Sequence, residues 1–98
     1  MMTKPLTRPY KAGLLNRLQD PSFAAEYLTA SAEDSEPVVY LSALRNVAEA
    51  QGITKIAAAA GLPRESVYRA LSPKGNPRWS TLSAILRATG LKLTVHRA

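Results

Sequence analysis

The chain has 98 residues, which is enough for one compact domain with a single modest hydrophobic core. Hydrophobic residues make up 46% of the sequence, so the chain is expected to fold rather than to stay disordered. Basic side chains outnumber acidic ones by 13 to 7, and the absence of cysteine excludes disulfides and thiolate metal sites.

The sequence also predicts no membrane segment. It contains no apolar run that approaches the roughly 18 residues of a membrane-spanning helix. Its first residues lead into no hydrophobic block, as those of a signal peptide would. Together with the lack of cysteine, these features lead us to expect an intracellular, cytoplasmic protein.

The positive charge is concentrated in the second half of the chain. Residues 51–98 carry eight basic side chains and one carboxylate, whereas residues 1–50 have a net charge of −1. Such asymmetry is typical of a protein whose basic half meets a polyanion. A solvated surface that keeps the protein dispersed would give the same pattern, so charge alone does not decide between the two.

The N-terminal third predicts an arm and two short helices. Residues 1–10 contain two prolines and no periodicity, which indicates an adaptable arm. Residues 11–19 are compatible with a short helix that presents three apolar side chains. These are Leu14, Leu15 and Leu18. Asp20 and Pro21 are expected to be the N-cap and the first residue of a second helix, which ends near Ser31.

A longer helix and a short alanine-rich one are predicted next. After an acidic loop, the longer helix is expected over residues 37–51, with Gly52 at the position after its end. Thr54 is placed to cap the alanine-rich helix, which ends at Gly61. The chain needs a positive φ at Gly61, which only glycine adopts without strain.

Two more helices and a strand complete the predicted order. A helix over residues 63–71 begins with Pro63 in its first position. After a turn-rich loop, a helix over residues 79–89 is expected to place Trp79 in the core. Residues 91–95 alternate apolar and polar side chains, which predicts a strand. A strand needs a partner, so its apolar residues are predicted to pair with a second subunit. These are Leu91, Leu93 and Val95.

The two short helices on either side of Gly61 match a helix-turn-helix, whose second helix docks in the major groove of DNA. Small alanines let the first helix approach its neighbour closely. The second helix keeps polar side chains on its outer side, and the basic residues are confined to this half of the chain. We therefore predict that the motif binds DNA.

The candidate DNA contacts lie on the second helix and at the element ends around it. Arg64 and Arg69 are long enough to give two hydrogen bonds to guanine or to a phosphate. Arg69 is equally placed to pair with Glu65 on the surface of the helix. Tyr68 is expected either to donate to a phosphate or to be half-buried. The whole candidate set is Thr54, Lys55, Arg64, Glu65, Ser66, Tyr68, Arg69, Lys74, Asn76 and Arg78.

Catalysis finds little support in the sequence. His96 is the only histidine, and no carboxylate is evidently placed beside it. A lone histidine builds neither a nucleophilic triad nor a metal site without further ligands. No glycine-rich phosphate loop occurs. We therefore predict a protein that is not an enzyme and that needs neither a metal nor a cofactor.

The chain resembles the DNA-binding antidote proteins of bacterial toxin–antitoxin modules. The resemblance rests on the run GITKIAAAAGLPRESVYRALSPKGNPRWSTLSAILRATGLKLTV and extends weakly through DPSFAAEYL upstream. These HigA-like proteins belong to the Xre/Cro-repressor-like helix-turn-helix class. The resemblance implies a dimer that binds its operator and represses its own operon. It also implies neutralisation of a small basic toxin, typically a RelE/HigB-like ribosome-dependent mRNA nuclease.

The predicted fold is mainly α: a five-helix bundle containing a lambda-repressor-like helix-turn-helix, with one short C-terminal β-strand used in dimerisation. Residues 37–98 would form the DNA-binding domain, and residues 1–36 would extend the core and bind the partner. Leu14, Leu15 and Leu18, with carboxylates nearby, are predicted to contact the toxin. The alternative function is that of an orphan or phage-derived transcriptional regulator without a toxin.

Overall fold

The structure, a computed structural model, describes residues 8–98. Of the predicted arm, residues 1–7 lie outside the described part, and residues 8–10 begin the first helix. The helices are α1 (Arg8–Arg17), α2 (Pro21–Ala32), α3 (Pro37–Gln51), α4 (Ile53–Ala60), α5 (Arg64–Ala70) and α6 (Trp79–Ala88). The mainly α class is confirmed. The described range holds six helices rather than five because the apolar segment before Asp20 forms a full helix of its own.

One hydrophobic core runs through the bundle, with α3 along its centre. The α3 residues Leu44 and Val47 have no exposed surface. The helices α4, α5 and α6 each add a residue that is equally buried. These are Ile56, Val67 and Ile85. Burial of such side chains is the main favourable term in folding, so the packing around α3 fixes how the outer helices are oriented.

A buried polar pair joins α2 to α3. The Asn46 side-chain amide donates a hydrogen bond of 3.0 Å to the Tyr27 hydroxyl, and Asn46 is only 6% exposed. An amide left without a partner in this position would cost about 1–3 kcal/mol. The pair therefore favours one register of α2 on α3 over others that would leave the amide unpaired.

The predicted helix ends are confirmed at several positions. Asp20 is the N-cap of α2, where its carboxylate accepts a hydrogen bond of 3.0 Å from the Ser22 amide. Gly52 ends α3 with a φ of +103°. Two predictions are wrong. Helix α4 begins at Ile53, so Thr54 lies inside it and caps nothing. Pro63 has an extended backbone and precedes α5 instead of opening it.

Replacing Asp20 with alanine is expected to lower the free energy of unfolding by about 0.5–2 kcal/mol, because the first turn of α2 loses its only side-chain cap. Urea denaturation of the variant and the parent protein measures this difference. Asp34→Ala removes a carboxylate from an exposed loop and serves as the control. An Asp20 variant no less stable than the control would contradict the capping role.

The C-terminal strand prediction is wrong for the described chain. Residues 91–98 follow α6 as a tail with neither helical nor strand structure. The physical reason is that residues 8–98 contain no other extended segment with which a strand could pair. Leu91 packs against the core, whereas Leu93 and Val95 are exposed.

The prediction that Trp79 is a core residue is also wrong, because its side chain is 62% exposed. Helix α6 begins at this residue, so its first turn projects beyond the core. The buried side chains of α6 come later, at Ile85 and Leu86. The apolar spacing was read correctly, but the core ends before it reaches the start of the helix.

Candidate nucleic-acid interface

A tight turn joins α4 to α5 and sets the angle at which α5 leaves. Gly61 adopts the left-handed conformation, with a φ of +71°, as predicted. The Leu62 amide donates to the Ala57 carbonyl at 2.9 Å, and the Gly61 amide donates to the Ala58 carbonyl at 3.2 Å. This pair of hydrogen bonds is the Schellman arrangement, which satisfies the last carbonyls of a helix. The turn is therefore fixed by the backbone.

Helix α5 buries one side and exposes the other. Val67 and Ala70 point into the core, whereas Arg64, Glu65 and Arg69 are exposed. Of the candidate DNA contacts, eight are exposed, and Ser66 and Tyr68 are partly buried. The predicted polar outer side of this helix is confirmed, although exposure by itself does not test what the residues bind.

A groove of about 500 Å³ lies between α5 and the loop that follows it. Its lining includes Ser66 and Arg69 from α5, and Lys74 and Asn76 from the loop. Thr81 from the first turn of α6 lines it as well. The structure thus brings four of the predicted contacts together. The other six are outside the lining of this groove. They are Thr54, Lys55, Arg64, Glu65, Tyr68 and Arg78.

The loop beside the groove is held close to the end of α5. The Gly75 amide donates to the Ser72 carbonyl at 2.8 Å, and the Ser72 hydroxyl donates to the Arg69 carbonyl at 3.0 Å. A β-carbon at Gly75 would collide with the Ala70 carbonyl oxygen and come within 2.9 Å of the Ser72 carbonyl oxygen. Glycine is required here because the backbone approaches so closely. The sequence suggested a turn, but not this reason for it.

Replacing Gly75 with alanine is expected to destabilise the protein by at least about 1 kcal/mol, because backbone atoms must move to admit the methyl group. The same movement displaces Lys74 and Asn76, so affinity for DNA should fall as well. Thermal unfolding and DNA titration measure the two effects. Gly13→Ala is the control, since a β-carbon at Gly13 meets nothing within 4 Å. Equal behaviour of the two variants would contradict the steric argument.

The predicted alternative of an ion pair between Glu65 and Arg69 is not realised. Among residues 8–98 the ion pairs are Lys11 with Glu49 and Arg45 with Glu49. Arg69 is exposed and lines the groove instead. Its guanidinium is therefore not held by a carboxylate in this conformation.

Tyr68 is half-buried, which was one of the two alternatives for this residue. The Arg45 guanidinium lies over its ring, 5.2 Å from the centroid. Arg45 Nε is in turn 3.6 Å from Glu49 Oε1, and Lys11 Nζ is 3.2 Å from the same oxygen. A chain of charged contacts thus connects α1, α3 and α5. The i,i+4 spacing of Arg45 and Glu49 signals their pairing, but no sequence pattern links either residue to Tyr68.

The three leucines predicted to contact a toxin belong mainly to the core. Leu18 is 1% exposed, and Leu14 and Leu15 are partly buried against the core. The expected exposed stripe is therefore not formed at Leu18. The pattern identified the apolar side of α1 but could not tell whether that side faces the bundle or a partner.

The described residues offer little to other kinds of site. Within residues 8–98, no group of three or more histidine, aspartate or glutamate side chains is arranged to hold a metal ion. Over the same range, none of the helices is both long and apolar enough to cross a membrane. His96 is exposed, 3.4 Å from the Thr94 hydroxyl in the tail.

Fold and surface together define a small, mainly helical protein with an exposed polar helix beside a basic loop. A family model described as "Probable addiction module antidote protein" matches residues 11–97. The chain belongs to this family, which makes it an antitoxin of a toxin–antitoxin module. A curated protein of Haemophilus influenzae, described as "Uncharacterized protein", is 35% identical over 72 residues, which is 74% of each chain. No solved structure matches the chain.

Proposed function

We propose that this antitoxin also binds DNA, using a helix-turn-helix of the Xre/Cro-repressor-like class formed by α4 and α5, and that it represses its own operon as a homodimer. The observation that carries the proposal is the outer side of α5, with Arg64 and Arg69 exposed next to the loop that carries Lys74 and Asn76. Side chains of these types form the hydrogen bonds by which proteins read base edges and grip phosphates.

The roles of individual residues follow from where they lie. Arg64 is in the first turn of α5, so we assign it to a base edge in the major groove. Lys74 and Asn76 lie in the loop after α5, so we assign them to phosphates, where they set position without reading sequence. Thr54, Lys55 and Arg78 are exposed at other element ends and suit the same positioning role.

The toxin partner follows from the family, and we propose a basic, RelE/HigB-like nuclease. The loop between α2 and α3 supports this choice, because Glu33, Asp34 and Glu36 are exposed there and form no ion pair among residues 8–98. Opposite charge accelerates encounter between partners. Leu14 and Leu15 remain candidates for the apolar part of the contact only at their partly exposed edges.

The DNA test is titration of a fluorescent duplex from the region upstream of the gene, with unlabelled RNA and unrelated duplex as competitors. Specific binding should survive both competitors. In the Lys74→Ala variant, affinity for every duplex should fall by a similar factor, and the slope of log affinity against log salt should decrease by about one. RNA that competes as well as the operator duplex would contradict operator binding.

The toxin test is co-expression of the chain with the small reading frame beside its gene, followed by co-purification and a growth assay. Rescue of growth and a stable complex are expected if the neighbour encodes the toxin. Operator binding without any complex would favour the regulator that lacks a toxin.

A further inference from the structure

A second groove lies between α2, the start of α3 and the C-terminal tail, and its volume is about 380 Å³. Its lining is largely apolar and includes Leu28, Tyr40, Leu86 and Leu91. Apolar grooves with few polar groups are the usual form of binding sites. None of the residues that line this groove lines the groove beside α5. It is therefore a separate surface with no role in the proposed reading of DNA.

The tail next to this groove presents apolar side chains to solvent. Leu93 is 47% exposed and Val95 is 92% exposed, whereas Leu91 is packed against the core. Two such residues on one short segment are more than the scattered surface apolar residues of an ordinary monomer. The chain thus carries an apolar groove and an uncovered apolar segment side by side.

Charge on the two features is complementary. The loop over residues 33–36 connects Ala32, which lines the groove, to the first turn of α3, and it carries three exposed carboxylates. The tail carries Lys92 and Arg97, both exposed. Neither the carboxylates nor these two cations form an ion pair within residues 8–98. The segment that best fits the groove in both apolar and charged character is therefore the tail itself.

Tyr40 adds a polar group to the groove. Its hydroxyl makes no hydrogen bond to any other group in residues 8–98, and burial raises the pKa of the phenol. The neutral phenol is thus available as a donor. A backbone carbonyl of an extended segment seated in the groove would satisfy it.

We propose that the tail of one copy docks in this groove of a second copy, and that the second tail docks in the first groove. Leu93 and Val95 supply the apolar contact, and Lys92 and Arg97 meet the acidic loop. Because groove and tail adjoin on one chain, the surface is complementary to itself, as a two-fold interface requires. Side-chain packing holds this dimer, and no strand pairing is needed. The inference deepens the homodimer of the proposed function but does not depend on DNA binding.

The location of this interface leaves α5 uncovered. Thr81 lines the groove beside α5, and Leu86 lines the groove that takes the tail. These residues are five positions apart on α6, which is about 7.5 Å along a helix. A dimer formed at the second groove thus keeps Arg64, Arg69 and Lys74 of both copies free for another partner.

Sedimentation equilibrium of the full chain tests the interface. The parent protein should form a dimer, and Val95→Asp should weaken self-association by more than about tenfold, since the change occurs twice in each dimer. Ala98→Asp adds the same charge to the same tail and should change self-association by less than about twofold. Thermal unfolding should be unchanged in both variants, because both positions are exposed.

A variant of the groove makes the test specific. Ala32→Arg places a cation in the lining and should also weaken self-association more than tenfold. When the Ala32→Arg and Val95→Asp proteins are mixed, one contact is intact and the other pairs the new arginine with the new aspartate. Native mass spectrometry should therefore show a mixed dimer in preference to either single-variant dimer.

Three results would overturn the inference: a parent protein that stays monomeric, a Val95→Asp variant that dimerises as well as Ala98→Asp, or an Ala32→Arg variant with undiminished self-association. DNA titration of the same samples keeps the two proposals apart. If the parent protein dimerises as described but binds no operator, the proposed function fails and the tail-exchange dimer stands. If the parent protein binds operator DNA and the Val95→Asp change leaves its dimer intact, the reverse holds.

Discussion

Replacing Arg64 with alanine should weaken binding to the operator by about 1–3 kcal/mol and abolish the preference for one base pair. Arg64 is exposed in the first turn of α5, and no ion pair within residues 8–98 holds its guanidinium. Two hydrogen bonds from one guanidinium to guanine are the commonest specific contact in the major groove. Affinities for a panel of duplexes, each with one base pair changed, measure both effects.

Two other basic residues serve as controls for Arg64. Lys74→Ala should weaken binding to all duplexes alike, because its assigned contact is a phosphate. Arg97→Ala removes an arginine from the distant tail and should leave the order of preference among duplexes unchanged. If the Arg64 variant keeps the parent's order of preference at every position, Arg64 does not read a base.

Replacing Leu18 with alanine should lower the free energy of unfolding by about 2–5 kcal/mol. The side chain is 1% exposed and lies within the same core as Leu28 and Leu44. Removing it leaves a cavity that the surrounding side chains fill only in part, which is why such changes cost more than the lost apolar contact. For a domain of this size, the loss is a large share of the total stability.

Urea denaturation measures the effect at Leu18, with Gln19→Ala as the control because Gln19 is exposed at the neighbouring position. The experiment also separates packing from toxin contact. A toxin-contact residue would show unchanged stability and weaker toxin binding. A core residue would show the loss of stability, with toxin binding unaffected at temperatures where the variant is fully folded.

Local sequence signals predicted much of the helical framework. Asp20 followed by Pro21 marked the start of α2 correctly, because a cap and a fixed φ act within one turn of the chain. Gly52 and Gly61 marked helix ends because both have the positive φ that glycine tolerates. The exposed side of α5 followed from the spacing of its apolar residues. In each case the deciding interaction spans only a few residues.

Features that depend on distant parts of the chain were not predictable in the same way. Helical spacing showed that α1 and α6 each have an apolar side, but not where the core ends. Leu18 therefore proved more buried than expected, and Trp79 less. The contact between Arg45 and Tyr68 joins residues on different helices, and no local pattern encodes it. The alternation over residues 91–95 had no strand beside it, so it could not specify a strand alone.

The core that α3 centres has a consequence for the lifetime of the protein in the cell. Leu18 and Leu28 of the N-terminal helices share it with Val67 of α5 and Ile85 of α6. A domain this small with one core usually unfolds in a single cooperative step. Any event that opens it, such as capture by a protease, removes the toxin-facing and operator-facing surfaces together. Release of the toxin and release of the promoter would then follow one clock, set by the unfolding of a single core.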